Sequence, residues 1–191
     1  MTTPPPDELE AGLVVLRRYE GGELTALREA VVTSIDHLRP WMPWASAEPL
    51  EEGLAEFVQR SAAEFGSGEN FTYAIWDAKG SELVGSTGLH PRLARGALEI
   101  GYWVRLSWTR RGVATAAARA LTDAAFALAD IQEVRIHCDE ANVASASVPR
   151  RLGYRLRRII DDEPSAPADT GRSMEWVVTR GDWVPARTAG S

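Results

Sequence analysis

"WTRRGVATAA", residues 108–117, joins a strand-like run, "ALEIGYWVRL" (97–106), to a long stretch of small and apolar residues, "GVATAAARALTDAAFALAD" (112–130). In the second run Val113, Ala117, Ala120, Leu121, Ala124 and Leu128 fall on one helical stripe. The chain therefore passes from a strand through a short turn into a helix that begins near Gly112. The first turn of any helix carries N–H groups with no partner inside the helix and a partial positive charge, which together attract anions. Gly112 lets the main chain approach a ligand, Ala114 keeps the near side open, Thr115 adds a hydroxyl donor, and Arg110 and Arg111 add charge. A phosphate fits such a turn. It is not a Walker loop, since no Gly-Lys-Ser/Thr follows, and it lacks the glycines of a dinucleotide fingerprint, which removes a dehydrogenase-like reading. Taken alone, the ten residues are equally compatible with a plain helix entry bearing two solvated arginines.

Outward from the turn, "GLVVLRRYE" (12–20) reads as a first strand. "ELTALREAVVTSIDHL" (23–38) reads as a helix, from the spacing of Leu24, Leu27, Ala30, Val31, Ile35 and Leu38, stopped by Pro40 and Pro43. "PLEEGLAEFVQRSAAEF" (49–65) is a second helix, with Pro49 near its first turn and Gly66 and Gly68 at its end. "NFTYAIWDA" (70–78) and "ELVGSTGLHP" (82–91), joined by "KGS", form a hairpin, and the turn "RLARG" (92–96) leads into 97–106. After the long helix come a strand "EVRIHC" (133–138), a helix "NVASASVPRRLG" (142–153), and strands "YRLRRIID" (154–161) and "RSMEWVVTR" (172–180). The order β α α β β β α β α β β predicts an α/β (α+β) chain with a mixed, mostly antiparallel central sheet flanked by helices. The proline-bearing ends (1–7 and 185–191) and the acidic "DDEPSAPADTG" (161–171) read as tails and a loop, so residues 1–191 form a single domain with its core at about 9–183.

Composition narrows the class of function. With 191 residues, 45% hydrophobic and 25% charged, the chain is ordinary for a globular domain and can bury roughly 70% of the surface its unfolded form exposes. One cysteine, Cys138, excludes an intramolecular disulfide framework and a cysteine-rich metal site, and predicts a reducing, cytoplasmic setting. No apolar run approaches the roughly 20 residues of a membrane span, and "MTTPPPDELE" has no basic start followed by an apolar segment. A net charge of −6 argues against nucleic acid as a partner, because binding to a phosphate backbone needs a broad positive surface.

"EIGYWV" (99–104), "RRGVATAA" (110–117) and "EVRIHCDEANVASASVPRRLGYRL" (133–156) together resemble the GNAT superfamily of acyl-CoA-dependent N-acetyltransferases. The likeness is greatest to the branch that acetylates ribosomal-protein amino termini. It extends over about 9–183, through "RPWMPW" (39–44) and the closing strands, and is densest in 97–155. The resemblance implies that the coenzyme A pyrophosphate sits on main-chain amides of a loop of the form Gln/Arg-x-x-Gly-x-Gly/Ala, here Thr109, Arg110, Arg111, Gly112, Val113 and Ala114. Thr109 departs from that pattern, since it lacks the long side chain. Tyr102, Trp103 and Val104 match the segment whose main chain pairs with the pantetheine arm like an added strand. Asn142 and Ser145 match an asparagine near the pantetheine and a serine near the thioester; Asn142 is also well placed to cap a helix. The wider superfamily often has a tyrosine three residues before "LG" as the acid for the departing thiolate. Here Pro149 stands there, so either Ser145 takes that role or water does.

The chemistry so implied is transfer of acetyl from acetyl-CoA, as co-substrate, to a primary amine by direct attack in a ternary complex, with no metal. Acyl transfer needs a neutral amine, and removing the proton at pH 7 costs roughly 1.4 kcal/mol for an α-amine but about 4.6 kcal/mol for lysine. An α-amine is thus within reach of one weak base. Glu99, the carboxylate nearest the cofactor strand, is the candidate base or amine-orienting group. His90 and His137 titrate in the useful range or serve as strand residues, and Asp139 and Glu140 read as a solvated turn. Trp41 and Trp44, in a proline-stiffened loop, either border the acceptor pocket with His90 or plug the helical layer. The acceptor is an amine-bearing peptide, a protein N-terminus or a small molecule. Two alternatives stay open: another donor such as succinyl-CoA, and a non-catalytic module binding coenzyme A or a nucleotide. Exposed strand edges are compatible with a homodimer.

Overall fold

The computed structural model describes residues 4–92 and 95–185. The outermost parts of the expected tails, residues 1–3 and 186–191, and Leu93 and Ala94 of the expected "RLARG" turn lie outside the described residues. Eight strands form one sheet: β1 (Glu8–Glu10), β2 (Val14–Arg18), β3 (Phe71–Asp77), β4 (Leu83–His90), β5 (Ala97–Val104), β6 (Glu133–Asp139), β7 (Arg155–Asp161) and β8 (Arg172–Thr179). Their spatial order is β1-β2-β3-β4-β5-β6-β8-β7. Every pairing is antiparallel except β5 with β6. The parallel pair is the one joined by a helix, α4 (Val113–Ala127), as a crossover requires. The mixed, mostly antiparallel sheet is therefore the one the sequence predicts.

Helix α4 and the short helix α5 (Val143–Arg151) lie on one face, over Leu98, Ile100, Val134, Ile136 and Trp176. On the other face α1 (Leu24–Val32) and α3 (Glu51–Ser67) pack above β2–β4, where Leu27, Val31, Leu54 and Val58 meet Tyr19, Ala74 and Leu83. Burying each of these aliphatic side chains contributes about 1.5–3 kcal/mol. Among the described residues no helix is long and apolar enough to cross a membrane.

Three local readings need correction. The predicted helix 23–38 is two: α1 ends at Val32, and α2 (Ile35–Leu38) follows. Thr33 Oγ1 donates back to Glu29 O at 2.7 Å, and Ser34, with a non-helical φ of −122°, turns its Oγ to accept the N–H of Leu106 at 2.9 Å. A distant backbone donor thus competes with the helix for this residue. The predicted tail at 1–7 is partly packed: Pro5 is buried, Tyr73 O–H donates to Pro6 O at 2.8 Å, and the added strand β1 follows. Finally, the strand predicted to run to residue 106 stops at Val104, and a single 3-10 turn, Leu106–Trp108, leads into the "TRRG" bend.

Candidate active site

The site is a gap in the sheet. β5 pairs with β4 from Glu99 through Val104, but with β6 only at Ala97↔Glu133, Leu98↔Val134 and Glu99↔Arg135. Beyond that point the two parallel strands separate, and the β6-facing edge of residues 100–104 has no strand partner. At the far end of this edge the chain turns twice through left-handed backbone, at Arg110 (φ 59°) and Gly112 (φ 84°). The first helical bond of α4 is Ala116 N–H to Gly112 O at 2.9 Å. Among the described residues, the amides of Arg110 through Thr115 have no acceptor in the protein. Six consecutive donors at a helix mouth form a cradle for an anion. Arg111 lies over the Trp108 ring, 4.9 Å from its centroid, which steadies the bend from outside. Thr109 spends its hydroxyl on Leu106 O at 2.9 Å, closing the 3-10 turn.

Across the gap stands α5. Asn142 Oδ1 accepts Ser145 N–H at 3.0 Å and so caps the helix. The phenol oxygen of Tyr102, from β5, is 3.1 Å from both Ser145 Oγ and Ser145 O. The second contact follows from Pro149: proline has no N–H, so it cannot bond the carbonyl four residues earlier, which is that of Ser145. Tyr102 O–H supplies the missing donor. Burial pushes the Tyr102 phenol above its usual value, against the lowering effect of Ser145, so it keeps its proton at neutral pH. Cys138 is likewise raised by burial and stays a thiol. The sequence noted only the tyrosine lost at Pro149; the structure brings a different tyrosine to Ser145 from the opposite strand.

A cavity of about 150 Å³ runs through the gap. Its α5 side is lined by Tyr102, Cys138, Asn142 and Ser145, and its other side by Trp41, Met42, Gly101, His137, Asp139 and Asp169. Asp139 is not a solvated turn residue. Its carboxylate accepts the N–H groups of Ala141, Thr170 and Arg172 and the Thr170 hydroxyl, which holds it below the usual carboxylate range although burial opposes this. That knot draws the 161–171 loop over the cavity, where Ala168 N–H reaches Pro40 O at 2.9 Å. Glu140 pairs with Arg172 at 2.7 Å.

Trp41 lines the cavity, whereas Trp44 is 44% exposed and packs on Trp103 with ring centroids 5.9 Å apart. His90 lies outside the lining. Its Nδ1 is 3.1 Å from Asn70 Oδ1, and its ring rests against Gly88, where a Cβ would come within 2.8 Å of it. Burial, with Arg92 adding, brings His90 down to about 4, so it is neutral at pH 7. Glu99 is next in the row, paired with His90 across β4 and β5 and 3.6 Å from His137 Nδ1. Burial alone would raise Glu99, but His137, Arg92 and His90 hold it below the ordinary carboxylate value. The row continues from His137 Nε2 to Glu175 Oε1 at 3.6 Å, and from Glu175 to Arg135 and Arg158. The sequence offered His137, with His90, as a titrating group or a strand residue and did not single out Glu175; the period-two alternation of "EVRIHC" put residues 133, 135 and 137 on one face, but only the strand register shows what they meet. Among the described residues no group of three or more His, Cys, Asp or Glu is placed to hold a metal ion.

Residues 14–155 match the family described as the acetyltransferase (GNAT) domain, and the chain belongs to that family. It is an N-acetyltransferase by that membership. YdaF of Bacillus subtilis (strain 168), described as a candidate ribosomal N-acetyltransferase, is 28% identical over 147 residues, which cover 74% of this chain and 77% of that protein. Mycobacterium smegmatis RimJ, in complex with CoA-disulfide, matches with a TM-score of 0.81 and 22% identity over 93% of this chain and 90% of its own. RimL, the ribosomal L7/L12 alpha-N-protein acetyltransferase, in complex with coenzyme A, gives a TM-score of 0.81 and 20% identity over 90% and 97% of the two chains. The microcin C7 self-immunity acetyltransferase MccE, in complex with acetyl-CoA and AMP, gives 0.83 and 15% over 91% and 97%. At these identities the solved structures share the fold, and the ribosomal branch suspected from the sequence is the one that the names of YdaF and RimL describe.

Proposed function

We propose that the protein transfers acetyl from acetyl-CoA to a primary amine, on a protein N-terminus or a small molecule, by direct attack in a ternary complex. The observation that carries this reading is the run of six unpaired amides from Arg110 to Thr115, set beside the open edge of β5. The amides suit a diphosphate, and the edge at Tyr102, Trp103 and Val104 suits an amide-bearing arm that adds as a short strand. Such an arm delivers its thioester to the cavity, beside Asn142 and Ser145. The names of the solved relatives, with coenzyme A or acetyl-CoA bound, support the same donor.

The amine enters from the side of Trp41 and Glu99, with its lone pair directed at the thioester carbon. Its attack forms the C–N bond and breaks the C–S bond. The Ser145 hydroxyl, with Tyr102 O–H behind it, hydrogen-bonds the departing sulfur. Because a thiol ionises near 8.5, the thiolate leaves with modest help. The charge on Glu99 favours a cationic acceptor over a neutral one. Family membership and the carboxylates at the acceptor end favour chemistry over a module that only binds coenzyme A.

The test is thiol release from acetyl-CoA with a panel of amines, alongside calorimetric titration with coenzyme A. We expect micromolar binding of coenzyme A and faster release with α-amine peptides than with lysine side chains. Absence of heat with coenzyme A, or binding without thiol release on any amine, overturns the reading.

A further inference from the structure

Glu99, His137 and Glu175 stand side by side on β5, β6 and β8, and of the three His137 lines the cavity. His137 Nδ1 is 3.6 Å from Glu99 Oε2, and His137 Nε2 is 3.6 Å from Glu175 Oε1. Both separations exceed a direct hydrogen bond, and the imidazole forms part of the cavity wall beside Trp41 and Met42. Glu175 is 1% exposed, and its oxygens already take Arg135 Nη1 at 3.1 Å and Arg158 Nε at 3.0 Å. It is pinned as an anion, below the ordinary carboxylate value, because the two arginines outweigh its burial. The pairing His137↔Glu175 belongs to the β6–β8 register, so the backbone itself sets it.

We propose that His137 is the base that takes the proton from the acceptor's ammonium group, with Glu99 orienting that ammonium and Glu175 holding the imidazole hydrogen on Nε2. The proposal rests on the transferase reading above. A neutral imidazole with its hydrogen on Nε2 directs it to Glu175 and leaves the Nδ1 lone pair facing the Glu99 carboxylate. Two acceptors then face each other with no donor between them. A primary ammonium supplies what is lacking, one N–H to Glu99 Oε2 and one to His137 Nδ1. Its proton passes to Nδ1, and the imidazolium is held between two carboxylates, as in other carboxylate-backed histidines. The freed lone pair attacks the thioester carbon, and the second nitrogen proton goes to the departing sulfur through Ser145. One proton remains on His137 and leaves to water once the product has gone.

The charged groups around His137 are Glu99 on β5, Arg135 and Asp139 on β6, Glu175 on β8, Arg158 on β7 and Asp169 of the loop; His90 and Arg92 face Glu99 from behind. Among these, Glu99 first and then Glu175 raise His137 above its ordinary value, against its burial. An α-amine, at about 8, lies closer to the ordinary imidazole value than lysine does, at about 10.4. Proton transfer to His137 is therefore less uphill from an α-amine than from lysine.

The experiment is the pH profile of kcat/KM for acetylation of a short peptide with a free α-amine, in wild type, His137→Gln and Glu175→Gln, with coenzyme A affinity measured on each. The wild type needs a neutral His137 and a charged ammonium, so its profile is a bell that falls above the amine pKa. His137→Gln is expected to lower the neutral-pH value about 100-fold, to keep coenzyme A affinity within about twofold, and to turn the bell into a single rise toward the amine pKa near 8. Glu175→Gln moves the acidic limb to lower pH, since one carboxylate that raises His137 is gone. Because Glu175 is buried and anchors two arginines, NMR titration of the His137 ring in the wild type is the companion measurement, expected above the ordinary value of about 6.5. An active wild type whose His137→Gln variant keeps the bell, or a ring that titrates at or below the ordinary value, overturns this proposal alone. A wild type silent on every amine overturns the transferase reading with it.

Discussion

On the α4 side of the gap the proposed binding groups are backbone amides, six in a row from Arg110 to Thr115, fixed by two left-handed residues. On the proposed acceptor side they are side chains: His137 from β6 with Trp41 and Asp169 from loops in the cavity lining, and Glu99 of β5 and Glu175 of β8 flanking His137. The difference is one of tolerance. Main-chain donors survive most changes of side chain and fail when the backbone path is altered. Side-chain groups fail one residue at a time, each in a different kinetic quantity.

The sharpest way to break the contrast is Gly112→Val. At φ 84° a β-branched residue is strained, and the left-handed conformation costs an L-residue roughly 1–2 kcal/mol. No atom lies within 4 Å of a Cβ built there, so the penalty is one of backbone path and not of collision. Relief of that strain turns the neighbouring amides away, at about 1 kcal/mol for each hydrogen bond lost. Coenzyme A affinity should fall by about 100-fold, at roughly 1.4 kcal/mol for each tenfold, while the thermal midpoint falls by about 2–8 °C. Calorimetric titration checks it, and a variant that binds as tightly as wild type would show that the cradle is not made by this backbone.

A middle-sized effect is expected where the two sides meet. Tyr102→Phe and Ser145→Ala should each lower kcat about tenfold, below the usual 10²–10⁴ range for proton transfer, because a thiolate is already a good leaving group. The double variant should be little worse than either single one, since the hydroxyls 3.1 Å apart act as one unit. Stopped-flow thiol release on the three variants decides it; additive losses would mean that the hydroxyls act separately.

The same division explains what was legible in the sequence. The run of unpaired amides is made of consecutive residues, 110–115, so a strand, a glycine and a helix start were enough to mark where a helix mouth opens, though not what it holds. The mixed sheet followed from the hairpins and one crossover, whereas the added strand β1 and the insertion of β8 between β6 and β7 did not. The Tyr102–Ser145 contact spans 43 residues, and its cue was of another kind: Pro149 frees the carbonyl of Ser145, which a helical count of four reveals, but nothing local says that Tyr102 fills it. His137 and Glu175 become neighbours only through the β6–β8 register, in which a slip of one residue would turn every side chain to the other face. The break at Ser34 was hidden for a similar reason, because its partner is the amide of Leu106, far along the chain.

Thr109→Gln should have the smallest effect, and it tests the contrast most finely. It restores the long side chain that the family places at this position and removes a hydroxyl that closes the Leu106–Trp108 turn at 2.9 Å. The lost hydrogen bond costs about 0.5–1.5 kcal/mol, and a side-chain amide reaching the diphosphate returns a similar amount. The two nearly cancel, so coenzyme A affinity should change by less than about threefold, within roughly 0.7 kcal/mol. If the cradle instead depended on the residue at its first position, affinity would rise tenfold or more with glutamine. A small change in calorimetry therefore supports binding by the six amides themselves, whereas a large gain would move the donor side into the same class as the acceptor side.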